Sequence, residues 1–120
     1  MSLKYLALDF DGTCVTHAGQ DIGAVPVIKE LSERYHIILW TVRSGEHLKE
    51  AEQWFENNLI RLYGVNENPD QNWSKSPKAY ANIYIDDAGL GIPLKYDPAL
   101  SPRAFVDWQQ IKEWMKNGFL

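Results

Sequence analysis

The chain alternates between short unbroken apolar runs and longer stretches in which apolar residues return every third or fourth position. The first run, from Leu3 to Leu8, stops abruptly at Asp9, Asp11, Gly12 and Thr13. A run of that length bounded by a turn reads as one buried strand. Residues 14–23 are polar and glycine-containing and read as a loop or short flap, with His17 and Gln20 as solvated side chains that can overhang the strand end. From Ala24 to Tyr35 the spacing of Val25, Ile28, Leu31 and Tyr35 predicts a helix, with Pro26 in its first turn. His36–Thr41 reads as a second buried strand and Val42–Gly45 as a turn. Ser44 is the expected N-cap of a helix from Glu46 to Asn58. Leu48, Ala51, Phe55 and Leu59 form the apolar face of that helix. Glu46, Glu50, Glu52 and Glu56 form a solvated one, and Trp54 packs beside the stripe.

Arg61–Val65 is a weaker strand candidate. Residues 66–77 read as loop, on Pro69, Asn72, Ser74 and Ser76, with Trp73 as its anchor. Ala81–Asp87 is a clear strand that again ends in paired carboxylates, after which Gly89, Gly91, Pro93 and Pro98 interrupt regular structure. A last helix is expected over Arg103–Asn117, with Phe105, Trp108, Ile111 and Met115 on one face and Trp114 next to it. It should cover the sheet, and its two tryptophans offer a contact to a second copy of the chain. Strands alternating with helices predict an α/β fold around a mostly parallel sheet. Right-handed crossovers keep successive helices on one face until the chain reverses across the first strand, and ligands bind beyond the carboxyl ends at that reversal. Three strands therefore bring Asp9 and Asp11, Thr41, and Asp86 and Asp87 to one edge.

Composition narrows the class without changing the picture. The 120 residues suit a single domain over residues 1–120, with no internal repeat. A net charge of −4 with a pI near 5.3 argues against broad binding to nucleic acid or an anionic membrane, though a local patch still suffices for the end of a strand. Cys14 is the only cysteine, so no internal disulfide can form and a reducing compartment is the simpler expectation. No His-base pattern accompanies it beyond the nearby His17, which argues against a nucleophilic thiol. No apolar run reaches membrane-spanning length and the N-terminus lacks a signal-peptide pattern, so the expected location is cytoplasmic, with no membrane contact.

The chemistry follows from charge. Two carboxylates at the end of a buried strand are costly unless a cation sits between them, and an all-oxygen set suits Mg2+. A carboxylate attacking a phosphate dianion meets like-charge repulsion, so Mg2+ and a lysine are needed to neutralise it. A second carboxylate can protonate the leaving oxygen and later activate water. Backbone N–H groups in the Phe10–Thr13 turn can cradle phosphate oxygens.

Asp9-Phe10-Asp11-Gly12-Thr13, then Thr41 at the end of an apolar strand, then Lys78, then Asp86-Asp87 resemble the four ordered motifs of the haloacid dehalogenase-like (HAD) hydrolase superfamily. The resemblance runs from about Leu3 to Asp87. It implies a Rossmann-like three-layer sandwich and a Mg2+-dependent phosphatase working through an aspartyl-phosphate. By the same resemblance Asp9 is the nucleophile, Asp11 the general acid and base, Thr41 a phosphoryl-binding residue and Lys78 the charge-balancing lysine. Lys75, in the same segment, competes for that last role. Asp9, Asp11, Asp86 and Asp87 form the metal set, and Gly12, Thr13, Val42 and Arg43 border the substrate. An aspartate at the second position of the first motif is the phosphatase pattern. Neither the stretch after Thr13 nor the one before Lys78 is long enough for a folded cap domain, since independent domains seldom fall below ~40 residues. Small capless relatives act on bulky substrates or close their site by forming homo-oligomers. The phosphorylated substrate expected is a small molecule, a nucleic-acid end or a phosphoprotein. Two alternatives stand beside this reading: a receiver-like phosphoacceptor domain, and a non-catalytic protein that keeps the fold.

Overall fold

A computed structural model describes residues 3–120. The first apolar run forms β1 (Lys4–Leu8), and the helix after the flap is α1 (Ala24–Leu31). β2 (Tyr35–Leu39), α2 (Gly45–Asn57) and β3 (Gly64–Val65) follow. Beyond the irregular residues 66–82 come β4 (Ile83–Ile85), β5 (Leu94–Lys95), β6 (Phe105–Val106) and α3 (Trp108–Lys116). β1 to β4 form one parallel sheet in the order β3-β2-β1-β4, with Leu8 level with Leu39 on one side and Ile85 on the other. The expected α/β sandwich with its parallel sheet is what the chain forms, and the reversal falls between β1 and β4.

Alternation along the strands decides what each face of the sheet buries. Leu6, Leu8, Ile37, Leu39 and Ile85 point into the main core, where they join Ile28 and Leu31 of α1, Ala51 and Phe55 of α2, and Ile111 and Met115 of α3. α1 and α3 pack on each other. Each fully buried Leu, Ile or Phe there is stabilised by roughly 1.5–3 kcal/mol relative to exposure. The opposite face, carrying Tyr5, Ala7, His36, Ile38 and Tyr84, is covered by residues 66–82. The third layer of the sandwich is thus irregular.

Several element boundaries differ from expectation. α1 ends four residues before Tyr35, in a turn where Ser32 N–H donates to Ile28 O and Arg34 N–H to Leu31 O; Tyr35 opens β2. α2 stops before Leu59, whose φ of 59° breaks the helix and leaves its side chain exposed, while Ile60 turns into the core in its place. Ile60 N–H donates to Phe55 O (2.9 Å), closing that helix end. The start of residues 14–23 is not solvated: Cys14, Val15 and Thr16 are buried, and Val15 bridges to both Asp11 and Asp21, whereas residues 18–21 are exposed loop as expected. The stretch 89–107 holds an antiparallel ribbon of β5 and β6, so Phe105 lies in a strand and α3 begins only at Trp108. Asp107 caps that helix, accepting from the N–H groups of Gln109 and Gln110.

Candidate active site

β1 and β4 are neighbours and end together. Asp9 N–H donates to Ile85 O (3.0 Å), which sets Asp9 beside Asp86. Carboxylate oxygens of Asp9, Asp86 and Asp87 converge within 4.8 Å of one another. Burial, reinforced by the charge of Asp86 and a bond shared with Asp87, pushes the Asp9 carboxyl up to about 7, against the pull of Thr13. The Thr13 hydroxyl, fully buried, donates to Asp9 Oδ2 (2.8 Å) and accepts from Asp87 N–H (3.0 Å), so one side chain ties the two acidic strand ends together. Three converging carboxylates with no nitrogen or sulfur donor, one of them driven towards its protonated form, are a donor set that fits a hard divalent cation such as Mg2+.

The turn after Asp9 is fixed from behind. Thr13 and Cys14 N–H groups donate to Phe10 O, Val106 N–H donates to Gly12 O (3.0 Å), and the Trp108 indole donates to Thr13 O (2.7 Å). Gly12 has a φ of 75°, and a Cβ there would collide with the Asp87 carboxylate and the His17 ring. Glycine is required on both counts. His17 does overhang the site: its Nε2 lies 3.1 Å from Asp87 Oδ2, with Arg103 3.5 Å from the other ring nitrogen. Gln20 is exposed. The Cys14 thiol is buried, donates to Asp9 O (3.3 Å), and is held well above its ordinary pKa by burial and then by the charges of Asp9 and Asp11. It has no thiolate character to offer a substrate.

Thr41 reaches the same edge. With Asp9, Trp40, Val42, Asn66 and Asp86 it lines a cleft of about 350 Å³. A larger cavity of about 440 Å³ between α1, α3 and the β5–β6 ribbon holds none of the converging carboxylates and is not the chemical site. Asn66, which the sequence analysis passed over, accepts from Thr41 N–H through Oδ1 (2.8 Å) and donates its own N–H to Leu39 O (2.7 Å). It adopts a φ of 56°. An asparagine directly after a strand, one of the few side chains that tolerates that backbone, is the signal that marks it.

The remaining predicted residues stand apart from the carboxylate group. Asp11 turns away from it onto Arg43, whose guanidinium holds its carboxyl below the usual carboxylate range. Val42 is fully exposed at the cleft. Lys78 places its Nζ 5.2 Å from the centre of the Tyr84 ring, on the irregular face, and no ion pair among the described residues joins it to Asp9, Asp86 or Asp87. Lys75 lines a polar groove of about 520 Å³ that meets the cleft at Asn66 and Pro77.

No protein-family model and no curated protein matches the chain. Among solved structures, a conserved protein from Bacteroides thetaiotaomicron is 32% identical to it, with a TM-score of 0.73 over 98% of this chain and 93% of that one. Identity and coverage of that order mean that the chain belongs to the same family as the conserved Bacteroides thetaiotaomicron protein.

Proposed function

We propose that this chain is a Mg2+-dependent phosphatase of the HAD type, working through an aspartyl-phosphate on Asp9. The observation that carries the proposal is the convergence of Asp9, Asp86 and Asp87 at the mouth of a cleft that Thr41 also lines. Asp9, Asp86 and Asp87 would hold the cation, which when bound supplies charge neutralisation for an anionic ester and its attacking carboxylate. The Thr13 hydroxyl fixes the Asp9 side chain on one oxygen and leaves the other to attack phosphorus. As the P–O bond to the leaving group breaks, the leaving-group oxygen takes a proton from Asp11, which has to give up one of its two bonds to Arg43 to carry it. Asp11 then removes a proton from water, which attacks the same phosphorus and releases inorganic phosphate from Asp9. Thr41, held by Asn66 and bonded through its Oγ1 to Arg43 N–H, orients the phosphoryl group; Lys78, which rests over the Tyr84 ring, would have to swing from there to complete the charge balance.

The substrate is a phosphate monoester: a small molecule, a nucleic-acid end or a phosphoprotein. The cleft opens to solvent beside the exposed Val42 and joins the Lys75 groove, which suits a leaving group extending beyond the phosphate. No helix among the described residues is long and apolar enough to cross a membrane. Hydrolysis across a panel of phosphate esters, with Mg2+ and after exhaustive chelation, tests the proposal. Mg2+-dependent release of phosphate is expected, and full turnover without the metal refutes it. A receiver-like phosphoacceptor would instead give a phosphoenzyme stable for minutes.

A further inference from the structure

The chain has five tryptophans, and four of them have an evident partner. The rings of Trp54, Trp73 and Trp114 each meet another aromatic ring, and the Trp108 indole donates to Thr13 O. Trp40 has neither kind of partner among the described residues. It lies outside the core cluster, directly after β2, where its backbone N–H donates to Leu8 O. There it lines the cleft that holds Asp9, Thr41 and Asp86, with Pro77 of the irregular segment beside it. No buried side-chain nitrogen or oxygen among the described residues lacks a hydrogen bond. The unpartnered indole N–H of Trp40 and the unpartnered Nδ2 of Asn66 therefore open to solvent. An indole at a cleft offers a flat apolar face and one donor at its edge.

Charge along the path away from the carboxylates limits what can leave. Beyond Asp9 and Asp86, the charged residues lining the cleft and the groove that continues from it are Glu67 and Lys75, of opposite sign. A nucleic-acid strand carries a charge on every phosphate and is held by several lysines and arginines, which this path lacks. Its free polar groups are donors. Besides Trp40 and Asn66, the hydroxyls of Ser74 and Ser76 each accept one backbone N–H and keep their own proton to give. Asn68 and Gln71 have both ends of their amides spent within the segment.

We infer that the leaving group is a neutral sugar. The substrate is then the phosphate ester of a carbohydrate hydroxyl, with the apolar C–H face of the sugar ring on the Trp40 indole and its oxygens accepting from Trp40 Nε1 and Asn66 Nδ2. Trp40 is the specificity-determining residue of the site. The inference rests on the phosphatase reading and narrows its substrate. A cleft of about 350 Å³, at the small end of ligand pockets, suits a phosphate and a single ring.

The test uses the full chain with Mg2+ as wild type, Trp40→Phe and Trp40→Ala. The panel is methyl phosphate, hexose and pentose phosphates, nucleoside monophosphates, an end-phosphorylated oligonucleotide and a phosphoserine peptide. In wild type a sugar phosphate, free or within a nucleotide, should have the highest kcat/KM. Trp40→Ala should lower kcat/KM on that substrate by about tenfold or more and leave methyl phosphate, which has no ring to stack, within about threefold. Among single-deoxy analogues of the preferred sugar, one should lose about fivefold in wild type and not in Trp40→Phe, which keeps a ring and lacks the N–H. That comparison decides the matter where Trp40→Ala fails to fold. Ribose phosphate against the nucleoside monophosphates tells a free sugar from one that carries a base. The highest kcat/KM on the oligonucleotide or the peptide, an equal loss on methyl phosphate, or a deoxy series indifferent to Trp40→Phe overturns the inference. A wild type that hydrolyses none of these esters removes the phosphatase reading, and calorimetric titration of the same panel then decides the sugar site alone. Binding of a sugar phosphate that Trp40→Ala weakens by about tenfold, with methyl phosphate unaffected, keeps the site, and no such binding overturns it.

Discussion

On one face of the parallel sheet Leu6, Leu8, Ile37, Leu39 and Ile85 meet three helices; on the other, Tyr5 and His36 meet Tyr63, Tyr80 and Asp70, and Tyr84 donates to Ala79 O, in a segment without a helix. The first face is closed by buried apolar side chains, mostly aliphatic, with Phe55 and Trp108 among them. The second is closed by rings with polar tips: His36 stacks on Tyr63 at 3.9 Å, Trp73 meets Tyr80 edge-on, and both Tyr5 and Tyr63 donate to one oxygen of Asp70 at 2.6 Å. Helices bond their own backbones, so they can cover a dry face. The irregular segment must find partners elsewhere, and does so through Asn68 to Tyr80 O and Gln71 to both Lys78 O and Tyr80 N–H. The candidate site lies at the edge where the two faces meet, with Asp9 and Asp86 on strand ends and Asn66 at the start of the irregular layer.

The largest expected effect is at that edge. Asp9→Asn should abolish the phosphoenzyme and lower activity by at least about 10⁴-fold, as measured with a labelled ester and mass mapping. The same variant should raise metal-free stability. Because the folded-state pKa of Asp9 lies near 7, above the ordinary 3.8, the folded chain retains a proton there that the unfolded chain has lost. Its contribution to stability is therefore lost as pH rises from about 4 to 7. Thermal unfolding in chelator across that range should slope downwards in wild type and be flatter in Asp9→Asn. Added Mg2+ should stabilise wild type and not the variant.

Next in size is the contrast between the faces themselves. Phe55→Ala, emptying a fully buried site under Phe10, should cost about 3–5 kcal/mol in urea unfolding. Trp73→Ala, from an exposed ring on the opposite face, should cost less than about 1 kcal/mol. Similar losses at the two positions would mean that the irregular layer is as much a core as the helical one.

The same contrast explains what was legible in the sequence. Apolar periodicity locates β1, β2, β4, the register of α2 and the strand ends that carry Asp9, Thr41, Asp86 and Asp87, because burial on the helical face imposes it. The irregular layer has no period to read. Its order depends on Asn66, Asn68, Asp70 and Gln71 bonding across gaps of 7 to 65 residues, and such partners do not show in local pattern. β5 and β6 were hidden for a related reason: two-residue strands among glycines and prolines carry too few positions to alternate. The burial of the start of the flap does not show in the sequence because Cys14, Val15 and Thr16 include two residues that look polar by type. Sequence places Arg43 beside Thr41 but says nothing of its bonds to Asp11, which lies 32 residues earlier.

A smaller effect separates the two lysines of the irregular segment. Lys78→Ala should lower kcat by about 10- to 100-fold and Lys75→Ala by less than about threefold on a small aryl phosphate, since charge balance is needed whatever the leaving group. With an extended substrate that fills the Lys75 groove, Lys75→Ala should raise KM. Equal losses on the aryl ester, or a larger one at Lys75, would move the charge-balancing role along the loop.

The smallest effect expected is at Asp70, and its pH dependence matters more than its size. Two phenols share one carboxylate oxygen, so the cluster favours Asp70 ionised and both tyrosines protonated. Asp70 is accordingly lowered by its bonds to Tyr5 and Tyr63, and Tyr5 is raised to about 12 by its bond to Asp70. The signs are opposite at the two ends. A lowered carboxyl contributes stability that is present above its unfolded pKa and lost as pH falls through the folded one. A raised phenol contributes stability that is present below pH 10 and lost as pH rises towards 12. Wild type should therefore show a shallow loss at each extreme of a thermal-unfolding profile. Asp70→Asn, which keeps the shape and an acceptor oxygen but removes the charge, should flatten both limbs while barely moving the neutral midpoint, because the group is solvent-exposed and water takes its place. Phe55 itself does not titrate, so Phe55→Ala should shift the whole profile downwards without changing its limbs. If Asp70→Asn instead lowers the profile uniformly, the aromatic face is held by packing alone and the two faces differ less than their composition implies.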